Sequence, residues 1–436
     1  MEAINLGYST KNIPIPSKNQ YLQSLIQKTE TFIKNIRWRA YFFLHPGDKP
    51  KLKENYGFKS TKTPPVVQEL SKFEESLSKM IQDIQFRNVN DNFQKQLKKD
   101  LKQFKKSEHM IIPADKTTNF YKVQPNEYEK LLRDSITKDY KKSPADLEKN
   151  IHAETKEIAT NLEIEDRVYT TGKNEAFLTL KDHKPNFRNR PTCRLINPCK
   201  PEIGKVSKKM LEQINTTIKN KSKLNQWKNT NEVITWFEKI EKKDSNTFII
   251  FDICEFYPSI TNKLLGKALD FAAQYVEIED DITNTIMHTK KSLLYSKGQP
   301  WCKNKSGEFD VTMGSYDGAE TCELIGLYIL AQLKPLNVNV GLYRDDGLAV
   351  CNKPPREVEN IKKEICKIFE ENDLKITIQA NLKVTDFLDI TLNLNKHQYK
   401  PYMKPNNRPL YVNKKSNHPP AIIKNIPEGI NKRLSR

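Results

Sequence analysis

Two apolar runs that end on carboxylates constrain this chain more than any other feature in it. The first, NTFIIFDICEFYPSI over 246–260, concentrates β-branched and aromatic residues across a strand's length and reaches Asp252. A strand so apolar belongs inside a sheet, and that leaves Asp252 at its C-terminal end. The second, VNVGLYRDDGLAVC, sets short apolar segments on either side of Arg344, Asp345, Asp346 and Gly347. Asp-Gly between apolar segments signals a tight turn, so a hairpin with the two acids at its tip is expected. Each piece has an ordinary explanation on its own, because Asp also ends strands and fills turns. Adjacent carboxylates repel unless a cation lies between them, however, and a hairpin tip delivered beside Asp252 would create a divalent-metal site.

The surrounding sequence supports a mixed architecture. Residues 1–110 read as a basic helical extension. Leu22, Ile26, Phe32, Ile33 and Ile36 recur at helical spacing, a Lys- and Pro-rich loop runs to Pro64-Pro65, and amphipathic helices are expected over 67–84 and 91–106. The second of these carries Lys98, Lys99, Lys102, Lys105 and Lys106, which suits either a nucleic-acid track or a solvated face. From 111 onward short strands alternate with helices. HMIIPADKTTNFYKV reads as strand, turn and strand, with Asp115 and Lys116 in a conspicuous polar turn, and EAFLTLKDHKPNFRNRPTCRLINP reads as a hairpin with a basic tip. A long helical section is expected after 260, a helix over 355–372, and short strands in LKITIQ, FLDITLNL and YKPYMK. This alternation predicts the α+β class rather than a helical bundle.

Composition narrows the partners. A net charge of +19 and a pI near 9.3 favour a polyanion, because Lys and Arg displace counterions from phosphates. The seven cysteines are odd in number, irregularly spaced and form no CxxC, so neither a disulfide framework nor a zinc site is expected and a reducing compartment is favoured. The N-terminus has no apolar signal core and no stretch approaches a membrane span. An intracellular protein, nuclear or cytoplasmic and not in a membrane, is expected.

At this point the residues carry a resemblance. FDICEFYPSI and YRDD resemble the two carboxylate motifs of reverse transcriptases. TMGSYDGAETCELIGLYIL between them resembles the Gly-containing motif that opens a helix under template and incoming nucleotide, and TLKDHKP with RPTCRLINP resembles the basic fingertip hairpin. DFLDITLNLNKHQYKPYMKPNNRPLYVNKKSNHPP resembles the region closing the palm in Penelope-like retroelements, with FLD, KP and SxHP landmarks. The motifs occur in the family's order across residues 177–420, about half the chain.

The resemblance implies a right-hand polymerase fold: the helical extension over 1–110, fingers over 111–245, a palm with an antiparallel sheet and packed helices over 246–400, and the palm end with the start of a truncated or absent thumb over 401–436. It implies an RNA-directed DNA polymerase using Mg²⁺, with Mn²⁺ as substitute, acting on an RNA template, a DNA primer and dNTPs, and served by a separate endonuclease. A non-catalytic nucleic-acid-binding relic and an RNA-dependent RNA polymerase are the alternatives. By position, Asp252, Asp345 and Asp346 would be catalytic and bind metal, with Ile253 contributing through its backbone. Lys181 and Arg194 would grip the triphosphate, with Lys184 and Arg190 competing for those roles. Tyr257 would stack under the nucleotide sugar or pack in the core. Gly314 would admit a base pair closely or serve as a turn glycine. Lys383 would be the general acid, with Lys375 its competitor. Here Gly314-Ser315 is followed by Tyr316, Asp317, Gly318, Ala319 and Glu320, where the family has MGSPLSP or similar. Two acids therefore enter a surface expected to face template or nucleotide.

Overall fold

The computed structural model describes residues 2–4, 6–48, 56, 62–165, 168, 173–184, 186–187, 189–403 and 410–434, so most of the Lys- and Pro-rich loop lies outside the described residues. The chain forms two compact units. One comprises residues 1–114, 118–125 and 408–432, the other 115–117, 126–407 and 433–436.

The first unit begins with β1 (Glu2–Ile4), α1 (Lys18–Leu44), α2 (Ser71–Gln82), α3 (Asn92–Lys105), β2 (Met110–Pro113) and β3 (Phe120–Val123). The helix starts follow local chemistry. Ser17 and Gln20 form a capping box at α1, and the Asp91 carboxylate accepts the Gln94 amide at 2.8 Å at α3. Arg37 of α1 and Glu74 of α2 form an ion pair, and the strands assemble in the order β1-β3-β2. The last segment of the unit is stitched to the first, with Ile13 donating to Ser416 Oγ at 2.8 Å and Asn417 to the Ile13 carbonyl at 2.9 Å.

The second unit holds, in order, α4 (Pro125–Asp139), β4 (Tyr140–Lys142), α5 (Leu147–Asn161), β5 (Phe177–Leu180), β6 (Cys193–Ile196), α6 (Gly204–Ser222), β7 (Asn225–Gln226), α7 (Thr230–Glu238), β8 (Thr247–Ile253) and α8 (Phe256–Ser259). There follow α9 (Asn262–Ala273), α10 (Asp280–His288), β9 (Leu294–Ser296), β10 (Gln299–Lys303), α11 (Gly318–Leu333), β11 (Asn339–Tyr343), β12 (Asp346–Cys351), α12 (Pro355–Glu370), β13 (Ile376–Leu382), β14 (Val384–Phe387), β15 (Ile390–Asn393) and β16 (Gln398–Pro401); the last helix, α13 (Pro420–Leu434), belongs to the first unit as far as residue 432. The α+β class is as expected. A central sheet in the order β13-β8-β12-β11-β7 is antiparallel except for the β11–β7 edge, and helices pack on it.

Strand alternation fixes what each face of that sheet does. Phe248, Leu348 and Val350 point into a core shared with Trp227, Trp236 and Phe237 around α7 and with Phe387, Ile390 and Leu392 of β14 and β15. On the opposite face Phe251 stacks edge-on with Phe369 of α12, ring centroids 5.4 Å apart. Asp252 and Asp346 share the parity of Phe248 and Leu348, and they are the last positions at that end of the face.

One region differs from the sequence reading. LLYSKGQPWCK, expected within a helical stretch, is the β9–β10 hairpin. Lys297 at φ +53° and Gly298 at φ +71° form its two-residue turn between the paired Ser296 and Gln299. Positive φ at both turn positions matches the right-handed twist of the flanking strands, and Lys-Gly is a weaker signal for it than Asn-Gly. All seven cysteines are free thiols, and among the described residues no helix is long and apolar enough to cross a membrane.

Candidate active site

The site begins with register. β8 pairs with β12 so that Asp252 lies opposite Asp346, and β11 pairs with β12 so that Tyr343 lies opposite Asp346. The hairpin turn is therefore Arg344-Asp345, with Arg344 in the left-handed region at φ +56°. The Asp-Gly dipeptide, Asp346-Gly347, placed the turn two residues too late. Gly347 is inside β12 opposite Phe251, and a Cβ there would stand 2.1 Å from the Phe251 ring. That glycine makes room for an aromatic side chain rather than for a turn.

The hairpin tip is tied to the strand that bears Asp252. Ile253 N–H donates to the Asp345 carbonyl at 2.9 Å, and Cys254 N–H donates to the Lys375 carbonyl at 2.8 Å. The Ile253 side chain is buried, so only its backbone belongs to the site surface. Asp252 is exposed and is hydrogen-bonded to Asp346. Partial desolvation first, then the like charge of Asp345, push the Asp252 carboxyl above the ordinary carboxylate range, while Lys116 and Lys184 pull it back. Among the described residues no set of three or more His, Cys, Asp or Glu side chains closes into a metal cage. Two neighbouring carboxylates on a strand end and a hairpin form an open half-site. That suits Mg²⁺, which keeps waters and takes substrate phosphates alongside one or two carboxylates.

Two cations, Lys116 and Lys184, act on Asp252, and Lys181 and Arg194 belong to the hairpin that carries Lys184. Lys181 lies at the mouth of the β5–β6 hairpin, where its amide donates to the Thr192 carbonyl at 2.8 Å. Burial and the neighbouring Arg194 lower the Lys181 ammonium pKa, against the fields of Glu255 and Asp115. Arg194 is one position inside β6 and forms an ion pair with Asp115 at 3.0 Å. Lys184 is exposed and near enough to Asp252 to act on its charge; Arg190 is exposed further along the hairpin loop.

Tyr257 follows in α8. Its hydroxyl is hydrogen-bonded to Cys322, and Arg344 and Asp345 both act on it, so it stands between the hairpin tip and α11. Burial raises the phenol pKa far above its usual value. A Cβ on Gly318, at the start of α11, would stand 2.7 Å from both the Thr312 carbonyl oxygen and Ser315 Oγ and 3.1 Å from Tyr257 Cε1, so glycine there makes room for the preceding turn first and for the ring second.

Two expectations change, and a third narrows. Gly314 lies in a turn, as one of its two readings had it, and is tight against protein: a Cβ would stand 2.1 Å from the Asn197 carbonyl oxygen, where the strand leaves the basic hairpin. Lys383 is at the wrong end of the sheet. Its ammonium donates to the Asp244 and Asn246 carbonyls at 2.7 and 2.6 Å, beside the start of β8 and roughly 15 Å along the strand from Asp252. Lys375, its competitor, adjoins the carboxylate end, and only the β13–β8 register separates the two. Asp317 does not face template or nucleotide. It is fully buried, forms an ion pair with the equally buried Lys290, and accepts hydrogen bonds from Ser207 and from Thr289, the latter at 2.8 Å. Glu320 is mostly covered and pairs with Lys208 at 3.4 Å. Lys290 carried no signal in the sequence, because a lysine in a polar stretch reads as solvated.

No protein-family model matches the chain, and no curated protein matches it. Solved structures similar to it include telomerase from Candida albicans bound to a TWJ fragment of telomeric RNA, at 12% identity and a TM-score of 0.48 over 74% of this chain and 60% of that one. Apo telomerase from Candida tropicalis is similar at 10% identity and a TM-score of 0.49, over 89% and 78% of the two chains. The RNA-dependent RNA polymerase of a human picobirnavirus is similar at 10% identity and a TM-score of 0.41, over 90% and 80%.

Proposed function

We propose that this chain is a nucleic-acid polymerase, and specifically an RNA-directed DNA polymerase of a retroelement, akin to the Penelope-like group. The observation that carries this reading is the register that sets Asp252 against Asp346, with Asp345 on the adjoining turn and with Lys184 of the β5–β6 hairpin loop near enough to act on Asp252. Carboxylates that can hold a divalent cation, with lysines nearby, suit a polyphosphate whose negative charge is neutralised by that cation and by the ammonium groups. The motif order of the sequence and its charge of +19 point to the same substrate class.

In this reading Asp252 and Asp345 hold Mg²⁺ (or Mn²⁺), with Asp346 supporting and the Ile253 backbone at the margin. The bound ions would lower the pKa of the primer 3′-hydroxyl and stabilise charge on the α-phosphate during in-line displacement. Lys181 and Arg194 bind the triphosphate, Arg as a fork and Lys as a point charge. Tyr257, beside Gly318 and Cys322, forms the floor beneath the sugar and selects deoxyribose. RNA template, DNA primer and dNTPs are the partners, with nuclease activity supplied separately.

Primer extension on poly(rA)/oligo(dT) with Mg²⁺ tests the proposal. Wild type incorporates dTTP, and Asp345→Asn lowers incorporation on the order of 10²–10³-fold, the scale of removing one electrostatic contact to a phosphoryl transition state. Incorporation by folded wild type that does not depend on Asp345 would refute the site. Faster use of UTP than of dTTP would shift the assignment to an RNA polymerase.

A further inference from the structure

The turn at Asp115, Lys116 and Thr117 is conspicuous in sequence, and the proposed chemistry above gives it no role. It comes from a segment more than sixty residues before the basic hairpin, yet its three residues belong to the same compact unit as that hairpin. Anchors on either side of Lys116 fix it there. Asp115 N–H donates to the Leu180 carbonyl at 2.8 Å, which extends the β5–β6 pair by one more backbone contact. Thr117 Oγ1 donates to Asp182 Oδ2 at 2.6 Å. The two anchor points, Leu180 and Asp182, flank Lys181. Lys116 is therefore held alongside Lys181, and its own side chain is left exposed.

The acidic member of the turn has a different task. Asp115 Oδ1 lies 3.0 Å from a terminal nitrogen of Arg194, and its side chain is only 9% exposed. Asp115 Oδ2 is buried without a hydrogen-bond partner among the described residues, so the pair with Arg194 is the polar contact that holds this carboxylate. A guanidinium held on one side by a buried carboxylate keeps its other N–H groups in a fixed plane, which suits bidentate recognition of a phosphate. The electrostatics agree: among the cations near Asp252, Lys116 acts on it most strongly, ahead of Lys184.

We propose that the Asp115-Lys116-Thr117 turn is part of the nucleotide site, Lys116 being a third cation that contacts the triphosphate and Asp115 the positioning residue for Arg194. The inference rests on the polymerase reading for its substrate. It adds a ligand group from outside the fingertip hairpin, and it explains why a buried carboxylate stands among residues that bind an anion. Without Asp115 the Arg194 fork would be free to swing; with it the fork is set before substrate arrives.

The test compares wild type with Lys116→Ala, Lys116→Arg and Asp115→Asn in dTTP titrations on poly(rA)/oligo(dT). Lys116 is exposed, so its replacement leaves folding intact. Lys116→Ala raises KM for dTTP about tenfold while kcat stays within about threefold, the scale of one charge-assisted contact, and Lys116→Arg restores most of the loss. Asp115→Asn raises KM in the same sense, and combining it with Arg194→Ala adds little to Arg194→Ala alone, which a merely structural role would not produce. A wild-type KM in Lys116→Ala, or a fall confined to kcat, overturns the proposal. Equilibrium binding of a fluorescent deoxynucleoside triphosphate, with the exposed Lys239→Ala as control, separates this inference from the reading beneath it. If wild type incorporates nothing, the polymerase reading fails, and the turn's role stands only if Lys116→Ala alone weakens triphosphate binding. Equal binding by all three proteins, or none by wild type, overturns it.

Discussion

Asp317 and Asp345 have the same side chain, the same compact unit and opposite surroundings. Asp317 is sealed from water: Lys290, Ser207 and Thr289 converge on its Oδ2, Oδ1 is buried with no hydrogen-bond partner among the described residues, and its backbone carbonyl accepts both the amide and the hydroxyl of Thr321. Asp345 stands on a turn beside Asp252, and the two raise each other's electrostatic cost. The buried pair ties α11 to α6 and to the segment after α10, and so fixes the glycine beside Tyr257. Asp252 is exposed and Asp345 half-buried, and Asp252 is hydrogen-bonded to another acid, Asp346, rather than to a cation. A charge kept for structure is surrounded by partners, and a charge kept for chemistry is left facing other charges.

Breaking the buried side of this comparison has the largest expected effect. Lys290→Met removes one partner and strands the Asp317 carboxylate in the interior, which costs about 3–5 kcal/mol of unfolding free energy. Urea denaturation measures it. Lys290→Met with Asp317→Leu recovers much of the loss, because an apolar pair of similar volume needs no solvation. A single variant as stable as wild type would mean that water reaches Asp317.

This contrast also marks how far the sequence could be read. Asp252 was legible because strand periodicity and an apolar run locate a strand end, and both signals are local. Asp345-Asp346 was legible as a hairpin, although the turn itself sits two residues earlier than Asp-Gly suggests. Asp317 was misread because its partner lies 27 residues upstream, and nothing in the intervening sequence announces that Lys290 is buried. Lys383 and Lys375 both adjoin strand-like sequence, and only the pairing of β13 with β8 shows which of them lies at the carboxylate end. Local chemistry was readable, and choices that depend on long-range register were not.

A smaller effect sharpens the buried side through pH. His288, two residues before Lys290, is buried, with Nε2 at 2.8 Å from Thr155 Oγ1 and Nδ1 at 3.0 Å from Glu154 Oε2. Burial holds its pKa below the ordinary imidazole value, against the pull of Glu154 and Glu308 and with the push of Lys291. The unfolded chain therefore binds a proton more readily than the folded one as pH falls below about 6.5. His288's contribution is complete above that pH and is lost as pH falls through the lower folded value. Thermal melts from pH 7.5 to 5 should show wild type losing stability relative to His288→Gln over this window. A relative gain on acidification would mean that the Glu154 carboxylate outweighs burial.

The smallest effect on stability comes from the turn carboxylate, and it has the opposite sign. Asp345→Asn, the change expected to lower incorporation sharply, removes one of two repelling charges and keeps the side chain's size. Its melting temperature without divalent ions should equal or slightly exceed that of wild type, by no more than a degree or two, since relief of a partly screened repulsion contributes about 1 kcal/mol or less. Adding Mg²⁺ should then narrow the difference, because the ion supplies to wild type the compensation that the substitution builds in. Calorimetry with and without Mg²⁺ reads both. If Asp345→Asn lowers the melting temperature as Lys290→Met does, the turn carboxylate is a structural residue, and the division between the two aspartates fails at the point where it was drawn.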